Sequence, residues 1–221
     1  NGELDVRDEL LAPFPRTPDD IRCHIAEYYA MITHLDERAG RVLAALESSG
    51  RADNTIVVFA GDNGLALGQH GLMGKQNLYD HSVRVPLVLS GPSIPEGQTT
   101  DALVYLSDIY ATLFELMGEP LPDSVEGVSM VPAMHSKKSA PRDTLFTAYR
   151  SYQRAVRDRR HKLIEYSVDR ERRTQLFDLK ADPLEMQDLS RDESSALTLT
   201  RLRAELTRWQ TGLDDPSPIA M

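Results

Sequence analysis

The six-residue run TIVVFA, at positions 55–60, constrains the fold of this chain more than any other feature. A continuous series of apolar, β-branched residues is typical of a strand buried on both faces, as in a parallel sheet covered by helices. Before it, residues 18–47 place apolar side chains at helical spacing, after a Thr17 cap and a proline in the first turn. A long amphipathic helix, a turn and a buried strand in this order predict an α/β fold.

The remaining sequence shows two different patterns of predicted secondary structure, which a proline-rich stretch separates. Before that stretch, VPLVL at 85–89 predicts a second strand, and residues 107–117 predict a helix. After it, short strand-like pieces at close intervals indicate an antiparallel sheet, and residues 197–210 predict a last helix. We therefore predict an α/β core over residues 1–139 and a small α+β subdomain over residues 140–221.

The balance of charge argues against some classes of partner. The chain carries 34 acidic and 25 basic side chains, and this formal net charge of −9 disfavours nucleic acid or an anionic membrane surface as the main partner. No apolar stretch reaches the roughly 18 residues of a membrane span, and the first ten residues are too polar for a signal peptide. We expect either a cytosolic protein or one whose export signal lies upstream.

Four chemically capable side chains follow the strand closely, in GDNGLALGQHGLMGK. Asp62 and Asn63 offer the oxygen ligands that Ca²⁺ and Mg²⁺ prefer, at the strand end where open α/β sheets bind ligands. His70 could give a proton or a hydrogen bond to a leaving group, and Lys75 could neutralise an oxyanion. Asp-Asn-Gly is also an ordinary turn sequence, so on these residues alone a solvated turn stays open as the alternative.

Longer motifs around this loop resemble the type I sulfatases of the alkaline phosphatase superfamily. That family's loop runs D-N-G or D-H-G, then G-x-H-G, then G-K, a tyrosine and R-V-P-L, and this chain has DNG, GQHG, GK, a tyrosine and RVPL in the same order. The likeness continues in SDIYATLFELMGEPLPDSVEGVSMVPAM, AVRDRRHKLIEY and QLFDLKADPLEMQDLS. The resemblance therefore extends from the long helix to the C-terminus.

The resemblance implies an alkaline-phosphatase-like sheet covered by helices, of which this chain holds part, and a hydrolase that acts on a sulfated small molecule or carbohydrate. It implies that Asp62 and Asn63 bind a divalent cation, with Ca²⁺ favoured over Mg²⁺, and that Lys75 binds the sulfate oxygens. His70 resembles the loop histidine that faces the leaving group. The nucleophile of type I sulfatases is a formylglycine made from the Cys or Ser of a C/S-x-P/A-x-R segment.

That nucleophile segment and the family's adjacent pair of metal-binding aspartates have no counterpart in this chain. The single cysteine, Cys23, stands in RCHIAEY on the long helix and is predicted to be a half-buried helix residue. Two oxygen ligands are few for Ca²⁺, which takes about six to eight, so the chain alone is expected to bind metal weakly and to hydrolyse nothing. The resemblance favours part of a longer, periplasmic or secreted sulfatase whose N-terminal part supplies the rest, and its oligomeric state stays open.

Two other functions stay open at this point. A phosphonate or phosphate ester hydrolase of the same superfamily uses a similar loop, and the chain as it stands could be a non-catalytic piece. The basic side chains from Arg157 to Lys162 form either a rim for an anionic substrate or a solvated face of the sheet. Trp209 is predicted to anchor the last helix to the core.

Overall fold

A computed structural model describes residues 11–136, 139–169 and 171–219. Within them, one compact unit contains residues 11–75 and 81–96, and a larger unit contains residues 76–80 and 97–219. The prediction about a signal peptide concerns the first ten residues, which lie outside this description. The boundary predicted after residue 139 falls inside the larger unit and stays a prediction. No helix among the described residues is long and apolar enough to cross a membrane.

The smaller unit begins with helix α1 (Pro18–Ser48), whose first turn is fixed by a capping box. The N–H of Asp20 donates to the Thr17 hydroxyl at 3.3 Å, and the N–H of Thr17 donates to the Asp20 carboxylate at 3.0 Å. The helix stops before Gly50, whose φ of 68° lies in the left-handed region that glycine tolerates. The sequence prediction of this helix and of both its ends is confirmed.

Two short strands, β1 (Val57–Ala60) and β2 (Leu87–Ser90), form an antiparallel pair. In sequence, the one-turn helix α2 (Asp80–Val83) lies between them. Both strands lie where the sequence predicts them, although each begins two residues later than expected. Within the described residues β1 pairs only with β2, in the antiparallel direction, and Phe59 is 48% exposed, so this chain does not itself supply the parallel neighbours or the cover on both faces that the apolar run predicts. An apolar run shows that both faces suit burial, whereas strand direction and cover depend on the rest of the fold.

Helix α1 exposes its apolar side chains in this chain, and none of its residues is buried. The large apolar residues that it exposes are Tyr29, Met31, Ile32, Leu35, Val42 and Leu43. Cys23 is also exposed, so its predicted half burial is wrong. Apolar side chains at helical spacing are normally buried against another layer of structure, and here no such layer covers them within the described residues.

The larger unit contains three further helices and a four-stranded antiparallel sheet with the strand order β3-β4-β5-β6. Its elements are α3 (Asp108–Met117), α4 (Val131–His135), β3 (Leu145–Tyr149), β4 (Gln153–Arg157), β5 (His161–Val168), β6 (Glu171–Asp178) and α5 (Ala196–Gly212). Helix α5 packs on the sheet around five fully buried residues: Val156, Leu163, Leu176, Leu202 and Leu206. The predicted antiparallel sheet and terminal helix are confirmed.

Trp209 joins α5 to this sheet. Its indole N–H donates to the hydroxyl of Thr144 at 2.9 Å, and its ring stacks on Phe146 with the ring centroids 6.4 Å apart. The side chain packs against the buried cluster of the unit. The prediction that Trp209 anchors the last helix is therefore confirmed.

A buried ion pair between Arg154 and Asp215 makes the larger unit sensitive to acid. The guanidinium donates to both carboxylate oxygens at 2.6 and 2.7 Å, and the Arg154 hydrogen bond lowers the pKa of Asp215 to about 2, from 3.8. Because the folded pKa is the lower one, the stabilisation is present above about pH 4 and is lost as the pH falls toward 2.

We expect Asp215→Asn to unfold at lower urea concentration than the wild type at pH 6, because it leaves the buried Arg154 guanidinium without a counter-charge. The variant should lose less of its remaining stability between pH 4 and pH 2. Urea denaturation at a series of pH values measures both effects. If the wild type and Asp215→Asn lost the same free energy of unfolding between pH 4 and pH 2, this ion pair would not be the cause of the acid sensitivity.

Candidate active site

The four side chains singled out in the sequence, Asp62, Asn63, His70 and Lys75, lie on one loop, residues 61–75, within the smaller unit. Strand β1 ends at Ala60, so the loop begins where the strand ends. Asp62, Asn63 and Lys75 are exposed, and His70 is half-buried. The structure thus brings the four residues onto one segment, while their chemical roles stay predictions.

Buried apolar residues fix the shape of this loop. Ala66, Leu72 and Met73 are at most 7% exposed and lie between the polar positions of the loop. The chain also closes on itself, because the N–H of Ala66 donates to the carbonyl of Gly74 at 3.1 Å and the N–H of Gly68 donates to the carbonyl of Leu72 at 2.7 Å. The apolar side chains therefore anchor the loop, and three of its four candidate side chains are exposed to solvent.

Two glycines in the loop are required by close approaches of other atoms. A Cβ on Gly64 would lie 1.9 Å from the backbone carbonyl oxygen of His81, and one on Gly68 would lie 2.6 Å from the side chain of Ile21 on α1. Gly68 also has a φ of 98°, which other residues rarely adopt. Gly64 of DNG and Gly68 of GQHG thus allow close packing, Gly64 against the backbone of His81 and Gly68 against the side chain of Ile21.

We expect Gly64→Ala to destabilise the protein and to displace Asp62 and Asn63, because a backbone oxygen cannot yield as a flexible side chain can. The matched control is Gly40→Ala, since Gly40 lies within α1 with no atom within 4 Å of the added Cβ. That control should be neutral or more stable by up to about 1 kcal/mol. Thermal unfolding of both variants measures the effects, and equal melting temperatures would refute the packing role of Gly64.

Asp62 and Asn63 present oxygen atoms that suit a hard cation. One carboxylate oxygen of Asp62 accepts the N–H of Asn63 at 2.8 Å, and the amide nitrogen of Asn63 donates to the carbonyl of Gly64 at 2.9 Å. Among the described residues, no partner occupies the second carboxylate oxygen or the amide oxygen. No group of three or more His, Cys, Asp or Glu residues that could hold a metal occurs in the described part of the chain. The donors therefore fit Ca²⁺ or Mg²⁺ in kind, and further ligands would have to complete the shell.

His70 is held in an uncommon backbone conformation. Its φ of 54° lies in the left-handed region, and its ring centroid is 5.8 Å from that of His81. Residues other than glycine that adopt such conformations cluster at functional sites, where surrounding structure enforces them. The ammonium group of Lys75 forms no ion pair with any described residue. The ammonium is therefore available for an anionic ligand.

The segment that directly follows Lys75, residues 76–80, is built into the larger unit. Asn77, Leu78 and Tyr79 are at most 3% exposed, and the hydroxyl of Tyr79 donates to the side-chain oxygen of Gln175 at 2.9 Å. This hydrogen bond joins the segment to strand β6. Lys75, the last residue of the candidate loop, is thus followed closely in the chain by three buried residues.

Asp80, at the end of that segment, belongs to a buried network of charges with Lys162 and Glu185. The Lys162 ammonium donates to Asp80 at 2.5 Å and to Glu185 at 2.7 Å, and the N–H of Asp80 donates to Glu185 at 2.6 Å. Arg157 adds a further bond to Asp80 at 3.0 Å. Burial raises the pKa of the Glu185 carboxyl above its ordinary value. A lysine and two carboxylates in this position bind each other and leave none of their charges to solvent.

This network corrects the prediction for the basic cluster. Lys162 is 1% exposed and Arg157 is largely buried, so neither belongs to a substrate rim or to a solvated face. Arg159 and Arg160 are exposed, as the second interpretation expected. The sequence reasoning missed the role of Lys162 because its two partners lie far away in the sequence. The one local signal was a lysine within the apolar strand HKLIEY, next to two apolar residues.

Comparison with known families agrees with this arrangement. The family described as "Sulfatase" matches residues 9–119, and the family described as "N-sulphoglucosamine sulphohydrolase, C-terminal" matches residues 68–212. An N-acetylglucosamine-6-O-sulfatase of Bacteroides thetaiotaomicron is 31% identical over 75% of this chain. A choline-sulfatase of Rhizobium meliloti is 34% identical over 86% of this chain. The chain spans 32% and 38% of the lengths of these two relatives.

Solved structures show the same fold. A protein solved in complex with its substrate D-glucosamine-2-N,6-O-disulfate is 28% identical, with a TM-score of 0.84 over 98% of this chain and 46% of that chain. A phosphonate monoester hydrolase of Agrobacterium radiobacter is 26% identical, with a TM-score of 0.78 over 90% of this chain and 43% of that chain. The two family matches together cover almost the whole sequence. The chain therefore belongs to the sulfatase family of the alkaline phosphatase superfamily.

Proposed function

We propose that this chain contributes part of the active site of a sulfuric ester hydrolase. The observation that carries the proposal is the loop 61–75, which holds two candidate oxygen ligands and an ammonium group without an ion-pair partner among the described residues, on a backbone fixed by buried side chains. Hydrolysis of a sulfate ester requires negative charge to be stabilised on the transferring group, and fixed positive groups supply that stabilisation. A solvated turn would not need three buried side chains to hold its shape.

In this proposal Asp62 and Asn63 hold a divalent cation, Ca²⁺ in preference to Mg²⁺. When bound, the cation would stabilise negative charge on the sulfate oxygens. Both residues lie on the fixed loop, and the hydrogen bonds to the Asn63 N–H and the Gly64 carbonyl orient their side chains. The remaining ligands of the cation come from residues outside this chain.

Lys75 binds the sulfate oxygens and His70 serves the leaving group. The Lys75 ammonium is a compact charge with three donors, which suits a tetrahedral oxyanion. His70 can donate a hydrogen bond or a proton to the departing oxygen. Because the backbone of His70 is held at positive φ, the position of its Cβ, from which the imidazole extends, is fixed.

The nucleophile, a formylglycine, is proposed to lie in an N-terminal part of the same enzyme that this chain does not contain. That part would cover the apolar side chains that α1 and β1 expose. Burial of large apolar side chains is favourable by about 1.5–3 kcal/mol each, so the exposed set favours such a partner layer. This chain alone is then inactive. Within it, we propose that residues 1–139 complete the catalytic core and that residues 140–221 form a small subdomain.

The proposed substrate is a sulfated small molecule or carbohydrate. The solved complex with a disulfated glucosamine and the likeness to an N-acetylglucosamine-6-O-sulfatase favour a sulfated amino sugar. The likeness to a choline-sulfatase favours a small sulfated alcohol instead. Sulfate release from glucosamine 6-sulfate and from choline sulfate by the complete protein would distinguish these substrates.

The likeness to a phosphonate monoester hydrolase supports a second candidate function. The same loop would then stabilise a phosphonate group, which is also tetrahedral and anionic. The test compares kcat/KM of the complete protein on 4-nitrophenyl sulfate and 4-nitrophenyl phenylphosphonate, which share a leaving group. We expect the sulfate ester to be hydrolysed faster, and faster hydrolysis of the phosphonate would replace the first proposal with the second.

A further inference from the structure

A cleft at the outer edge of strand β6 is rich in arginine. It has a volume of about 890 Å³, and Arg172, Arg173, Arg191 and Arg203 lie among its lining residues. Two acidic residues, Glu171 and Asp188, line it among the residues that the structure describes. The chain as a whole has a net charge of −9, so a cleft with four cationic and two anionic side chains is a local exception. It belongs entirely to the larger unit, and the loop 61–75 contributes nothing to its lining.

The cleft lies beside the N-terminal half of β6, next to the part of this strand that residues 188–190 cover. Strand β6 is the last in the sheet, and the segment of residues 188–190 covers part of its free edge. There the N–H of Leu176 donates to Asp188 at 3.1 Å, and the Ser190 hydroxyl donates to the carbonyl of Thr174 at 3.2 Å. Beyond this cover, the cleft opens beside the N-terminal half of β6. The segment 188–190 thus closes one end of the cleft and places Arg191 at its wall.

Three of these arginines, Arg173, Arg191 and Arg203, keep side-chain donors available for a ligand within the described part of the chain. Arg203 is oriented by bonds to Glu165 at 2.9 Å and to Thr174 at 2.8 Å, which use two of its five N–H donors. Arg173 pairs with Tyr166 through its backbone in the sheet, and the side chains of Arg173 and Arg191 have no hydrogen-bond or ion-pair partner among the described residues. Asp188 also lines the cleft, and one of its carboxylate oxygens, Oδ1, accepts the backbone N–H groups of Leu176 and Ser190.

We propose that this cleft binds an anionic segment of a sulfated oligosaccharide. Guanidinium groups bind sulfate and carboxylate oxygens with paired, charge-assisted hydrogen bonds, and several of them around one cleft suit a ligand with more than one charge. The volume exceeds what a single sulfate ion fills and lies in the range of pockets that hold small organic ligands. The choice of a sulfated sugar rests on the proposed function, whereas the anionic character of the ligand rests on the cleft alone.

The test uses the complete protein and a heparin-derived hexasaccharide, with titration calorimetry as the measurement. We expect the double variant Arg173→Ala/Arg191→Ala to raise the Kd at least tenfold. The matched control is Arg159→Ala/Arg160→Ala, which removes the same charge from exposed positions at the β4–β5 turn and should leave the Kd unchanged. An unchanged Kd in the cleft variant, or an equal loss in the control, would overturn the proposal.

Two further ligands identify what the cleft recognises. We expect the desulfated, N-acetylated hexasaccharide to bind at least tenfold more weakly than the sulfated one. A single-stranded DNA oligomer of equal charge that bound as tightly would overturn the assignment to sulfated sugars. Turnover of 4-nitrophenyl sulfate is a separate readout and should be the same in the cleft variant and the wild type. A protein that binds the hexasaccharide through the cleft and hydrolyses no sulfate ester would refute the proposed function and leave the cleft proposal standing.

Discussion

Replacement of Lys75 by alanine is expected to reduce kcat/KM of the complete protein for 4-nitrophenyl sulfate by about 10²–10³-fold. The reason is that the variant removes a positive charge from the place where negative charge on the sulfate group is proposed to develop. Lys75 is exposed and forms no ion pair among the described residues, so its loss should leave the melting temperature unchanged. The measurement is steady-state release of 4-nitrophenol, together with thermal unfolding of the same samples.

The matched control for this variant is Lys180→Ala. Lys180 is also exposed, and it lies in the turn after β6, away from the loop in sequence. Its removal changes the net charge equally and should leave kcat/KM unchanged. Lys75→Arg should recover only part of the activity, because a planar guanidinium presents its donors differently from an ammonium. Equal activities of the Lys75→Ala and wild-type proteins would remove Lys75 from the proposed site.

Lys162→Met is expected to lower the free energy of unfolding by about 3–5 kcal/mol, the usual cost of breaking a buried ion pair on one side. Methionine keeps the length of the side chain and removes its charge. Asp80 and Glu185 then stay buried without the ammonium that contacts both of them. Urea denaturation of the complete protein measures the loss. The variant should also lower sulfatase activity at temperatures below unfolding, because Asp80 ends the segment that directly follows Lys75.

A second substitution separates lost charge from lost packing. Glu185→Gln in the Lys162→Met background replaces a buried, unpaired carboxylate by a neutral amide that can still accept the N–H of Asp80. We expect the double variant to be more stable than Lys162→Met alone, and the double-mutant cycle gives the coupling energy. Arg160→Ala is the surface control, since its pair with Asp178 is exposed on the arginine side and such pairs contribute little. If Arg160→Ala and Lys162→Met destabilised the protein equally, the buried network would have no special role.

Local sequence signals predicted a large part of this fold. The capping box of Thr17 and Asp20 lies within four residues, so both members and the start of α1 can be recognised in the sequence. The loop 61–75 is also local, because its glycines and polar residues follow a single strand. Trp209 was placed correctly because a large aromatic residue on an amphipathic helix usually faces the core.

Contacts between distant parts of the sequence could not be predicted in the same way. Lys162 pairs with Asp80, 82 residues earlier, and nothing near either residue indicates the other. The antiparallel pairing of β1 with β2 is set by the path of the chain between them and not by the residues of either strand. The arginine cleft likewise combines a strand edge, the segment 188–190 and α5, which meet only in the folded unit.

The measurement that tests the central claim most directly is a calorimetric titration with Ca²⁺. The claim is that Asp62 and Asn63 are part of a cation site whose other ligands lie outside this chain. We predict that the complete protein binds Ca²⁺ tightly, that Asp62→Ala binds at least tenfold more weakly, and that the 221-residue chain alone binds weakly. Equal affinity of the isolated chain and the complete protein, or of Asp62→Ala and the wild type, would contradict it.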